Sequence, residues 1–83
     1  MAKKTTKEQS YALFIMVAHR LGIKVEMLAE AESIIKDKKS LEPCHCLWFE
    51  RDAISAHNQV AAHGIDMVNK ANAELMKIKN QYL

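Results

Sequence analysis

Residues 11–18 read Tyr-Ala-Leu-Phe-Ile-Met-Val-Ala, an unbroken apolar run between polar, lysine-bearing flanks. In a helix, successive side chains advance by about 100°, so such a run is apolar around its whole circumference and one neighbouring helix cannot cover it. Apolar positions continue at heptad spacing through Phe14, Leu21, Leu28 and Ile35, with Val17, Ala18, Val25 and Ala31 widening the stripe. The pattern predicts a helix over about 6–37, opened by Thr5 or Thr6 as N-cap, with Glu8 completing a capping box from Thr5. Gly22 falls inside it and predicts a kink or break.

Lys36, Lys38 and Lys39, followed by Ser40-Leu41-Glu42-Pro43, read as a helix end and a turn, because the residue before a proline is driven out of the helical region. A second helix is expected over about 47–82. Its stripe is Ile54, Ala61, Val68, Leu75 and Tyr82, joined by His57, Val60, Gly64, Ala71 and Ile78. Gly64 predicts a second kink, and small residues at Ala61, Gly64 and Ala71 would let another helix approach closely. No stretch alternates apolar and polar residues over a strand length.

These elements predict an all-α, single-domain chain over 1–83: a long antiparallel helical hairpin assembled into an oligomeric bundle. The interface between copies is expected at Tyr11, Leu13, Phe14, Ile15, Met16, Val17, Ile54, Ala61, Gly64, Val68 and Ala71. Composition agrees with helices. Of 83 residues, 49% are hydrophobic while only two are Gly and one is Pro, which excludes a loop-rich or disordered chain. A bilayer span needs about 20 apolar residues, so the run at 11–18 is too short and no membrane partner is expected. The N-terminus lacks a secretory cleavage pattern, and a cytoplasmic location is the expectation.

The formal charge of +2 does not by itself announce nucleic-acid binding. In a hairpin, Lys3, Lys4 and Lys7 would meet Lys70, Lys77 and Lys79 at one end, forming a basic surface for an anionic, nucleotide-like ligand. The stretch 14–33, opened by Phe14 and closed by Ser33, has the small and apolar residues of a helix-turn-helix at suitable spacing (Ala18, Leu21, Gly22, Ile23, Leu28). Its second helix, however, would carry Glu26, Glu30 and Glu32 toward the phosphates, which opposes the charge neutralisation that drives DNA binding.

Cys44-His45-Cys46 contains zinc-ligand types. With the second helix beginning near 47, His57 and His63 lie too far along the axis to complete a site in the same chain, so the expectation is no metal and no cofactor, and any zinc or thiol site at Cys44 and Cys46 would form between chains. Phosphate loops, dinucleotide fingerprints and nucleophile elbows are missing from the sequence. The reading is a non-enzymatic, self-associating binding protein, of the accessory or inhibitory kind that mobile-element and phage-like genomes encode, which sequesters a protein partner or an anionic ligand. A helix-turn-helix regulator that binds DNA is the alternative.

Overall fold

The computed structural model describes residues 6–83; Thr5, Lys3 and Lys4 lie outside them. Among the described residues the chain forms helices α1 (Lys7–Arg20), α2 (Leu28–Lys36), α3 (Pro43–Ala62) and α4 (Ile65–Tyr82), with no strand. The all-helical expectation holds. The two long helices do not, because each is interrupted at its glycine.

Thr6 is the N-cap of α1. Its hydroxyl accepts the Gln9 amide at 3.0 Å and the Gln9 side chain accepts the Thr6 amide at 3.0 Å, a reciprocal capping box. Glu8 is thereby free for another task, and its carboxylate accepts the Leu41 amide at 2.7 Å, tying the α2–α3 loop to α1.

At the other end of α1, Gly22 adopts φ +86°, the Ile23 amide donates to the Ala18 carbonyl at 3.0 Å, and the Gly22 amide donates to His19 at 3.0 Å. Those two bonds are a Schellman closure, and Ile23 completes it by packing in one apolar cluster with Ala18. Gly22 is therefore a helix stop and not a kink. Gly64 stops α3 in its own way: at φ +97°, ψ −176° it occupies a region open to glycine alone, and its carbonyl accepts the Val68 amide that begins α4.

The helix end and turn expected ahead of Pro43 are present, and Pro43 itself opens the next helix. It is the first residue of α3, where a missing N–H costs nothing and φ is already helical, and Glu42 before it is extended, as a pre-proline residue prefers. The helix thus begins about one turn earlier than expected, taking Cys44, His45 and Cys46 into it.

Helix α1 is the hub. α2, α3 and α4 each pack against it, and α3 packs against α4. The fold is a slab, 34 × 31 × 17 Å, whose short dimension matches two helix layers. Leu13, Ile15, Met16 and Val17, expected at an interface between copies, are buried in the chain's own core with Ile34, Ile35, Phe49 and Ile78. Three helices surround the run, where a hairpin would have supplied one. The apolar run consequently needs no second copy to cover it.

On α3 the inward stripe is Phe49, Ala53, Ala56 and Val60, spaced by four, three and four residues. Ile54 and Ala61, placed in the expected stripe, sit one residue out of that phase and face outward. On α4 the expected stripe survives, with Ile78 buried and Val68, Ala71, Leu75 and Tyr82 half-buried.

Candidate functional site

The described core contains no buried polar or charged residue, so recognition chemistry is confined to the surface. The most developed surface feature is an apolar face where α1, α3 and α4 meet. Phe14 is the one large residue of the apolar run that the hub leaves open, at 37% exposure, and its ring leans on the His57 imidazole with centroids 5.3 Å apart and planes tilted by 54°. On one side of this pair lies a shallow groove lined by Val17, Val60, Ala61, Val68, Ala71, Asn72 and Leu75. On the other lies a hollow against Tyr11, Ala53 and Ile54.

Its walls are apolar but for Asn72 and the His57 ring, with alanines at 61 and 71 standing among the branched side chains. Apolar side chains entering from outside would find walls to contact on both sides of the Phe14–His57 ridge. Ile54 (47% exposed), Trp48 (59%) and Leu47 (63%) are the exposed large apolar residues of α3, and the Arg51 guanidinium lies 5.5 Å from the Trp48 ring.

Of the expected interface residues, Phe14, Ile54, Ala61, Val68 and Ala71 converge on this face although they come from three helices. Tyr11 borders it, half-buried, with its hydroxyl donating to Glu50 at 3.0 Å. Gly64 is exposed at the α3–α4 turn and shapes the backbone there. Leu13, Ile15 and Met16 do not reach the surface, and Val17 lines only the groove floor.

Of the expected basic surface, Lys3 and Lys4 lie outside the described residues, and Lys7 lies on α1 with Lys70, Lys77 and Lys79 on α4. Lys7 lies over the Tyr11 ring at 5.7 Å, and Lys36 lies over Tyr82 at 5.7 Å. Lys77 pairs with Glu74 at 3.4 Å, and Arg20 pairs with the same carboxylate at 3.5 Å. Lys79 is two residues beyond Lys77 and so points about 160° away from it, while Lys70 stands exposed two turns earlier. Glu74 thus pairs with one of the expected lysines and with Arg20.

The helix-turn-helix reading meets a geometric obstacle. Residues 21–27 separate α1 from α2, longer than the 3–4-residue turn such motifs use. The loop is fixed instead by Asp52 of α3, whose carboxylate accepts the Glu26 amide at 3.2 Å and the Met27 amide at 2.9 Å. α2 has no side-chain cap, and Asp52 holds the backbone just ahead of it from another helix. No local pattern signals that role, since the partners lie 25 and 26 residues apart.

Cys44 and Cys46 are free and exposed in the first turn of α3. His57, on the same helix, stands about 18 Å along the axis from His45. Among the described residues no helix is long and apolar enough to cross a membrane. Compared with protein-family models, with curated proteins and with solved structures, the chain matches none.

Proposed function

We propose that this chain is a non-enzymatic binding protein that self-associates and holds a protein partner through the apolar face of α1, α3 and α4. The observation that supports the reading is the convergence of exposed Phe14 and Ile54 with Ala61, Val68 and Ala71 around one groove. A contiguous exposed apolar surface rimmed by polar residues is the physical mark of an interaction site. The support for self-association is that surface, since the chain covers the rest of its apolar run internally. An accessory or inhibitory role follows as part of the proposal: a small helical protein occupying a partner's surface acts by occlusion and needs no catalytic group. The anionic-ligand part of the reading has less support, since Lys77 of its six lysines is already paired with Glu74.

The test uses Ile54→Lys, which places a charge on the face without entering the core. Sedimentation of the wild-type chain at micromolar concentration is expected to show an oligomer, and the variant a monomer of unchanged helicity. A wild-type monomer would remove self-association from the reading. Partner capture that is equally strong with both proteins would remove the face.

A further inference from the structure

At the start of α3, Glu42, Cys44 and His45 bring a carboxylate oxygen, a thiol sulfur and an imidazole nitrogen within 4.8 Å of one another. We propose that these three side chains form a zinc site within a single chain, with its fourth position open to water or to an exchangeable ligand. The sequence alone directs attention to Cys44 with Cys46 and to the remote His57 and His63. The fold points elsewhere.

Starting α3 at Pro43 makes Glu42 the N-cap and puts Cys44 and His45 in the first turn. Glu42 makes no side-chain bond to the helix amides, the usual duty of an N-cap side chain, and its carboxylate instead lies 3.7 Å from the Cys44 sulfur. Cys46, two residues further and about 200° round the helix, directs its sulfur to the Glu42 carbonyl at 3.6 Å and stands outside the set.

Zinc bound at roughly 2.0–2.3 Å to nitrogen, oxygen and sulfur in a tetrahedron holds its ligands about 3.3–3.8 Å apart. The observed cluster is wider than that by at most about an ångström, and all three residues are exposed. Charge also balances. A bare cation is disfavoured at a helix N-terminus, but one thiolate and one carboxylate offset the two positive charges of the metal. The mixed S, N, O donor set excludes magnesium and calcium, which take oxygen ligands, and suits a borderline ion such as zinc. The site is separate from the apolar face and stands or falls independently of it.

Cobalt(II) titrated into the full-length chain under a non-thiol reductant is the direct probe, because thiolate coordination gives a charge-transfer band that zinc then bleaches. The expected result is one cobalt per chain, a band lost in Cys44→Ser and kept in Cys46→Ser. His45→Ala should weaken binding by more than about tenfold, given that loss of a group merely supporting a ligand already costs about 10–100-fold. Circular dichroism checks that each variant remains helical. Any of three results overturns the proposal: no band with wild-type protein, a band lost in Cys46→Ser and retained in Cys44→Ser, or half-stoichiometric binding that requires both cysteines and therefore two chains.

Discussion

Gly64 and Lys38 show how much single backbone positions decide here. Both have positive φ, +97° and +55°, but only one is a glycine. A Cβ at Gly64 would touch nothing within 4 Å, so the cost of Gly64→Ala is purely conformational and is expected to be about 1 kcal/mol or more in urea unfolding. Lys38→Gly should act in the opposite direction, relieving a left-handed side chain that costs roughly 1–2 kcal/mol, partly offset by the entropy glycine adds to the unfolded state. Both glycines are visible in the sequence as interruptions. Their φ values are not, which is why a kink and a full helix stop cannot be told apart before the Ala18–Ile23 closure is seen. The cysteines are a milder case: in metal-free buffer, replacing both with Ser should change stability by no more than about 0.5 kcal/mol, as for other exposed positions.

Among the elements, α2 depends most on a remote residue. Nine residues are too few for an independent helix, and the Glu26 and Met27 amides just ahead of it are held by Asp52 of α3. Asp52→Ala is expected to cost roughly 1–2 kcal/mol, as for losing hydrogen bonds to a charged group, and to speed hydrogen exchange at the Glu26 and Met27 amides before it affects α4. Exchange rising equally in all four helices would contradict a local role. The contrast with α1 explains what was legible. Thr6 and Gln9 are three residues apart and advertise a capping box, whereas Asp52 reaches its amides across the tertiary fold. Pro43 correctly marked the turn, but not that the next helix starts at the proline itself, the position where its missing N–H costs nothing. The apolar positions read from the first half do pack inward: Val17, Ala18, Leu21, Val25, Leu28, Ala31 and Ile35 all join the core clusters although the chain turns at residues 21–27, and Phe14 alone is left at the surface.

For the molecule as a whole, making α1 the hub turns an all-round apolar helix into the core of one chain. Leu13→Ala, deep in that core, should cost about 2–5 kcal/mol, a large share of what an 83-residue domain possesses. Ile54→Lys should leave stability nearly unchanged, because Ile54 faces outward. Sequence periodicity finds apolar positions but not how many helices share the covering of a run, so the eleven expected interface residues divide into core and surface only in the folded chain. Those left at the surface, with Phe14 and Ile54 foremost, carry the proposed association. Sedimentation equilibrium on wild type and Ile54→Lys across micromolar concentrations tests that most directly. The account predicts concentration-dependent association in the wild type and a folded monomer in the variant; a folded wild-type monomer throughout that range, or association undiminished by Ile54→Lys, would contradict it.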